Sequence, residues 1–82
     1  MTIEDKKLAL DFYKDDQGLV METKVQRILG ITPEYHRQIK VKLNIHTIKV
    51  PRFLGGERAY DYKKNLLKHA YEIADFVETG GR

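Results

Sequence analysis

Two adjacent polar residues, Arg37 and Gln38, have side chains that can pair with the edges of nucleic-acid bases. An arginine can bond to O6 and N7 of guanine, and a glutamine can bond to N6 and N7 of adenine. Both residues fall on the polar face of a segment predicted to be helical. The pair therefore indicates base recognition, and two solvated side chains on an exposed helix are the alternative.

Further polar and basic residues surround this pair. Thr32, at the predicted start of the same helix, can cap it and can also contact phosphate through the exposed helix N-terminus. Lys40 and Lys42 are expected to contact phosphates rather than bases, because a lysine ammonium acts as a point charge. The remaining candidates lie in or beside a predicted β-hairpin, where Gly-Gly forms the turn, and they are Lys49, Arg52, Gly55, Gly56, Arg58, Tyr60 and Lys63. Solvated charge, and core packing of the tyrosine, are the alternatives.

The sequence lacks the patterns typical of catalysis and of metal binding. There is no cysteine, which excludes a disulfide, a thiolate nucleophile and a Cys-based zinc site. His36, His46 and His69 do not share an i, i+4 spacing, and each is expected to be a surface or half-buried residue. No catalytic Ser/His/Asp arrangement or phosphate loop is present. We expect no enzyme activity, no cofactor and no metal site.

The charge of the chain is distributed unevenly. The 82 residues have a formal net charge of +3, but residues 1–22 have −3, residues 23–69 have +8 and residues 70–82 have −2. The middle block, with eleven basic and three acidic residues, coincides with the candidate residues above. Such a block is typical of a polyanion-binding surface, and a basic surface that only confers solubility is the alternative.

Length and hydropathy predict one domain over residues 1–82, in which residues 1–18 form an acidic N-terminal helix. No apolar run approaches the roughly 18 residues that span a bilayer. The N-terminus also lacks the basic-then-apolar layout of a signal peptide. We therefore expect a cytoplasmic protein without a membrane partner.

Apolar periodicity and turn signals predict a mostly helical fold with one small β-hairpin. The predicted elements are helices at 3–15, 23–29, 33–43 and 63–78, with the hairpin at 46–62. For the helix at 33–43, Thr32 is the predicted N-cap, Pro33 the first helical residue and Asn44 the left-handed exit.

The first two helices carry weaker signals. Thr2 and Asp5 predict a capping box for the first helix, with Leu8 and Phe12 on its apolar face. Thr23 is predicted to cap the second helix.

Residues 25–39 (VQRILGITPEYHRQI) resemble the helix-turn-helix of MerR-like domains, whose pattern is hydrophobic-x-x-hydrophobic-Leu-Gly-Ile/Val-Ser/Thr. That group includes phage and plasmid excisionases and some small terminase subunits. Residues 55–60 (GGERAY) are similar to the glycine-rich wing of these domains. The resemblance covers about residues 20–75 and implies a winged helix-turn-helix that binds DNA sequence-specifically. This chain departs from the family pattern at four positions. Gln26 replaces a small alanine and His36 replaces an aliphatic core residue. In the reading helix, Ile39 replaces an aromatic residue and Asn44 replaces the glycine that usually ends it.

These observations favour a small protein that binds double-stranded DNA, as an excisionase, a transcription regulator or a packaging-recognition domain of a phage or mobile element. The helix at 33–43 is expected in the major groove, and the basic wing at 49–58 on an adjacent groove or phosphates. One alternative is a protein-interaction module on the same fold, such as a phage-encoded regulator that binds a host protein. Another is a homodimer through the last helix, whose apolar stripe comprises Leu66, Leu67, Ala70, Ile73, Ala74 and Val77.

Overall fold

Four α-helices and five short β-strands make up the structure, a computed structural model that describes residues 1–54, 57–58 and 61–81. The helices are α1 (Ile3–Phe12), α2 (Glu22–Leu29), α3 (Pro33–Leu43) and α4 (Leu67–Glu78). The strands are β1 (Leu19–Met21), β2 (Ile48–Val50), β3 (Phe53–Leu54), β4 (Glu57–Arg58) and β5 (Tyr62–Leu66). The prediction of a mostly helical chain is confirmed. Within the described ranges, no helix has the length and apolar character needed to cross a membrane.

Helix α3 has the predicted bounds because local signals define both of its ends. The Thr32 hydroxyl accepts a hydrogen bond from the Tyr35 backbone N–H at 3.0 Å, and Pro33 occupies the first helical position. Asn44 ends the helix in the left-handed conformation, with φ of 56°. Gly30 ends α2 in the same way, with φ of 66°, so that only residues 30–32 separate the two helices.

Strands β1, β5 and β2 form an antiparallel sheet with β5 in the centre. In its register Val20 lies opposite Asn65, and Lys49 lies opposite Lys63. Strands β3 and β4 pair separately with each other. The β component is therefore larger than the single hairpin predicted from the sequence.

The predicted bounds of the hairpin (46–62) and of the last helix (63–78) are wrong. The first arm of the hairpin begins at Ile48, and α4 begins only at Leu67. Residues 62–66 are extended because β5 pairs with β1 on one side and with β2 on the other, and this pairing outweighs local helix preference.

Helix α1 begins as predicted but ends three residues earlier. The capping box between Thr2 and Asp5 is formed, and the last helical residue is Phe12. The predicted last residue, Asp15, instead stabilises the turn that leads to β1. Its carboxylate accepts hydrogen bonds from the backbone N–H groups of Gln17 at 2.8 Å and Leu19 at 3.0 Å.

The apolar face predicted for α1 is also wrong. Leu10 is fully buried, whereas Leu8 and Phe12 are 68% and 79% exposed. The helix packs against α4 and α2, and Leu10 and Ile3 are the residues that join the hydrophobic core there. The i, i+4 spacing of Leu8 and Phe12 places them on one face but does not decide whether that face meets the core.

Helix α2 begins one residue earlier than predicted, at Glu22, and lacks the predicted cap. Met21 is its N-cap residue and provides no side-chain hydrogen bond, while Thr23 lies exposed in the first turn. Glu22 is buried, and its carboxylate is engaged with residues of α3 and the sheet.

The hydrophobic core lies where the helices meet the sheet, and its fully buried members include Leu10, Val20, Val25, Ile39 and Ile73. Most of the apolar stripe of α4 belongs to this core. Ala70, Ile73 and Ala74 are buried, and Leu67 and Val77 pack against the cluster. The apolar stripe of α4, which the sequence analysis considered as a homodimer interface, is therefore mostly packed inside the chain.

We expect Thr32→Ala to lower the free energy of unfolding by about 1 kcal/mol, because it removes the hydroxyl that caps α3. The matched variant Thr23→Ala should change it by no more than about 0.5 kcal/mol, since Thr23 is exposed and is not the N-cap of α2. Urea denaturation of both variants measures the difference. Equal losses would show that the two threonines do not differ in capping.

Candidate nucleic-acid interface

A groove of about 690 Å³ opens between the start of α2, the first half of α3 and strands β2 and β5. Five of the residues that the sequence analysis selected line it: Arg37, Lys40, Lys49, Arg52 and Lys63. Its acidic lining residues are Glu22, Glu34 and Asp61. The fold thus brings basic residues from α3 and from two strands to the walls of one concave surface.

Lys49 and Lys63 form a like-charged pair on the sheet. They lie directly opposite each other in the register of β2 and β5, and both are exposed. Within the described residues, neither ammonium makes an ion pair. Like charges opposite each other on neighbouring strands repel and destabilise the sheet. A polyanion bound in the groove would relieve that repulsion.

Arg52 lies two residues after the end of β2, with its guanidinium over an aromatic ring. The distance from its Cζ to the centre of the Tyr62 ring is 5.3 Å. This cation–π contact orients the arginine at the edge of the groove. On the same ring, the Nζ of Lys64 lies 5.7 Å from the centre.

A hydrogen bond to Asp15 directs the Lys64 side chain away from the groove. Its Nζ donates to the Asp15 carboxylate at 2.7 Å. This hydrogen bond, together with those from the backbone N–H groups of Leu19 and Gln17, lowers the pKa of Asp15 to about 2. The alternation of a strand therefore separates the two consecutive lysines of β5, since Lys63 faces the groove and Lys64 the turn after α1.

The exposed face of α3 presents Arg37 and Gln38, as predicted. The Arg37 guanidinium donates to both carboxylate oxygens of Glu34, and Gln38 Nε2 lies 3.5 Å from one of them. The hydrogen bond from Arg37 lowers the pKa of Glu34, and the same bond raises the pKa of Arg37. Because exposed ion pairs of this kind contribute little to stability, Arg37 can exchange Glu34 for another acceptor at small cost.

Lys40 is positioned differently from the other basic residues of α3. Its Nζ donates to the Glu22 carboxylate at 2.8 Å and also to the Thr47 hydroxyl. The side chains of Lys40 and Glu22 are only 13% and 8% exposed. Burial by itself raises the pKa of Glu22, but the hydrogen bonds from Lys40 and Thr47 outweigh it and lower that pKa. Lys40 thus joins α3 to α2 and to the segment before β2.

The same network continues through three side chains. Asn65 Nδ2 donates to the Glu22 carboxylate at 3.0 Å, which leaves its Oδ1 as the acceptor 3.0 Å from His36 Nε2. His36 Nε2 must therefore be the protonated ring nitrogen, and Nδ1 accepts from Gln26 Nε2 at 2.9 Å. This assignment gives a neutral imidazole. Burial also lowers the pKa of His36, although the Glu22 carboxylate opposes that shift.

His36 is fully buried, in contrast to the predicted surface or half-buried position. Sequence reasoning also did not assign Glu22, Gln26, Thr47 and Asn65 to a common site. One signal was available, because His36 shares its predicted helix face with Ile39 and Leu43. A polar residue on an apolar face requires a hydrogen-bonding partner when it is buried. Gln26 and His36, two of the residues that depart from the MerR-like pattern, are hydrogen-bonded to each other.

Lys42 and Arg58 are two further candidate residues that the structure describes. Lys42 is exposed on the other flank of α3, where a smaller groove of about 170 Å³ is lined by Gln38 and Lys42. Arg58 lies in β4. Gly55, Gly56 and Tyr60 lie outside the described residues. Among the described side chains, no group of three or more His, Asp and Glu residues is arranged to hold a metal ion.

Comparison of the chain with protein-family models, with curated proteins and with solved structures found no match.

We expect Lys40→Met to lower the free energy of unfolding by about 3 kcal/mol, because it leaves the buried Glu22 carboxylate without its cation. Lys42→Met is the matched control on the same helix, and since Lys42 is exposed the change should be within about 0.5 kcal/mol. Chemical denaturation at pH 7 measures both. A loss for Lys40→Met no larger than that of the control would contradict the buried ion pair.

Stability is also expected to fall as the pH drops below about 6.5, the ordinary pKa of histidine. The folded protein holds His36 neutral, so the unfolded chain binds a proton more readily in that range and is favoured. Denaturation between pH 7.5 and 5.5 measures the slope of the free energy of unfolding against pH. This pH window lies above the range where Glu22 titrates, because the pKa of Glu22 is lowered. His36→Gln should flatten the slope. An unchanged slope in His36→Gln would assign the titration to another group.

Proposed function

We propose that this protein binds double-stranded DNA sequence-specifically, with α3 as the recognition helix. The observation that carries the proposal is the Lys49–Lys63 pair, whose members lie opposite each other in the register of β2 and β5 and line one groove with Arg37 of α3. Within the described residues neither lysine makes an ion pair. A basic groove next to a helix with base-pairing side chains has the two components that DNA recognition needs. Phosphate contacts give affinity and position, and base contacts give specificity.

The connectivity supports a winged helix-turn-helix as the finer description of this fold. Two helices joined by residues 30–32, with a left-handed glycine at the first of them, have the short turn that places a recognition helix against a bracing helix. The chain then forms β2, continues through residues 51–61 and returns as β5. We assign residues 49–58 to the wing, in line with the resemblance to MerR-like and excisionase-like domains.

Each candidate residue has a distinct role in this proposal. Arg37 and Gln38 pair with base edges in the major groove. Lys40 braces the recognition helix through Glu22 instead of contacting phosphate. The residues that contact phosphates or an adjacent minor groove are Thr32, Lys42, Lys49, Arg52, Arg58 and Lys63, together with Gly55 and Gly56 of the wing and Tyr60, which follows the wing in sequence.

The biological role that follows from such binding is non-enzymatic. We propose a cytoplasmic protein that acts in recombination as an excisionase-like factor, in transcription regulation or in DNA packaging. Each of these roles uses sequence recognition by a small domain and requires no cofactor.

A protein-interaction module is the alternative function, and one observation favours it. Leu8 and Phe12 expose apolar surface on one face of α1, and no residue of α1 lines the basic groove. A protein partner on that face would leave DNA binding unaffected. The double variant Arg37→Glu/Arg58→Glu should abolish DNA binding and leave capture of such a partner intact.

A homodimer through α4 is less favoured than a partner on α1. Most of the apolar stripe of α4 is packed in the core, so little of it is left for an interface between two copies.

We expect affinity for duplex DNA to fall at least about 10³-fold between 50 and 200 mM salt, if six or more phosphates are contacted. Lys49→Ala/Lys63→Ala should reduce the slope of log K against log salt by about 1.8, the value for two lost phosphate contacts, and leave the preferred sequence unchanged.

The matched control is Lys6→Ala/Lys14→Ala, which removes the same charge from the α1 side of the molecule, where no residue lines the groove. Fluorescence anisotropy at four salt concentrations measures all three proteins. A flat salt dependence in the unmodified protein would rule out the DNA-binding proposal. Equal slope changes in the two double variants would show that the groove is not the DNA interface.

A further inference from the structure

The exposed face of α3 contains one apolar residue among polar ones. Glu34, Arg37, Gln38 and Val41 follow each other at helical spacing on this face, and Val41 is 70% exposed. The other large apolar side chains of α3 join or pack against the core, namely Tyr35, Ile39 and Leu43. Val41 is thus separated from the core by the full width of the helix.

Stability of the helix does not account for a valine at this position. A β-branched residue has a lower helix propensity than alanine, lysine or glutamate, all of which are common at exposed helix positions. Its burial in the folded chain is small, so it also gains little from the hydrophobic effect. What valine offers at an exposed site is a rigid apolar surface, because its side chain has one strongly preferred rotamer in a helix.

We infer that Val41 contacts the C5-methyl group of a thymine in the bound DNA and thereby makes α3 specific for a T·A pair. This inference rests on the proposed function. Thymine is the base that presents a methyl group in the major groove, and small apolar side chains recognise it there by contact. Polar side chains on the adjacent turn, Arg37 and Gln38, supply the hydrogen bonds that an apolar side chain cannot make.

The spacing along the helix predicts where the thymine lies. Val41 follows Arg37 by four residues, which is about 6 Å of helical rise at 1.5 Å per residue. Successive bases of one DNA strand are about 3.4 Å apart along the axis. If α3 lies along the major groove, the thymine is therefore expected within about two base pairs of the base that Arg37 contacts.

The test replaces thymines by deoxyuridines in a duplex enriched by selection from random sequences. This substitution removes the methyl group and preserves the Watson–Crick pairing. Affinity of the unmodified protein should fall about fourfold at one position, the change expected for one methyl group removed from an apolar contact. Val41→Ala should bind the thymine duplex more weakly and lose most of its sensitivity to deoxyuridine at that position.

Lys42→Ala is the matched control on the neighbouring residue. It should weaken binding of the thymine and deoxyuridine duplexes by the same factor, because a phosphate contact does not depend on the methyl group. Since Val41 is exposed, the thermal unfolding of Val41→Ala should match that of the unmodified protein.

Three results would contradict the inference, and they differ in their consequences. If binding is specific and deoxyuridine weakens it equally in Val41→Ala and in the unmodified protein, Val41 does not contact the thymine methyl group. The DNA-binding proposal would then still stand. Specific binding without any deoxyuridine effect would lead to the same two conclusions. Failure to bind or enrich any duplex would overturn both the inference and the proposed function.

Discussion

The Glu22 carboxylate is the point on which the arrangement of the site depends. One of its oxygens, Oε2, accepts hydrogen bonds from Lys40 of α3, from Thr47 before β2 and from Asn65 of β5. A buried carboxylate is strongly destabilising unless it is paired and hydrogen-bonded, so these partners must remain in place whenever the protein is folded. The interaction therefore joins α2, α3, the segment before β2 and the central strand β5 at one carboxylate oxygen, and it fixes α3 relative to the strands that form the opposite wall of the groove.

The network divides the polar residues of α3 between two functions. His36 and Lys40 face inward and hold the helix, whereas Arg37 and Gln38 face outward, where their side chains can meet a ligand. The same division occurs along β5 and the segment that leads into β2. Asn65 and Thr47 are engaged with Glu22, whereas the next groove-facing residues, Lys63 and Lys49, are exposed. Buried polar contacts and exposed basic residues thus follow one another along the same surface. In our proposal, rigidity of the inner part orients the outer part for DNA.

Local signals allowed α3 to be predicted to the residue, because Thr32, Pro33 and Asn44 define its ends without help from the rest of the chain. Elements that depend on distant partners could not be predicted in the same way. Lys63 lies in a strand and not in a helix because β1 and β2 pair with β5 from both sides. The basic side chains of the groove were identifiable by type and position, but their convergence was not. Whether Lys40 faces solvent or Glu22 depends on a pairing across 18 residues that no spacing rule reveals.

The central claim is that DNA binds along the outer face of α3 and the basic groove beside it. Amide chemical-shift mapping by NMR, during titration with a duplex enriched by selection, tests this most directly. We predict shifts in residues 37–42 of α3, in 48–50 of β2 and in 62–63 of β5, with α1 unaffected. Shifts centred on α1, or no shifts with any duplex at low salt, would contradict it.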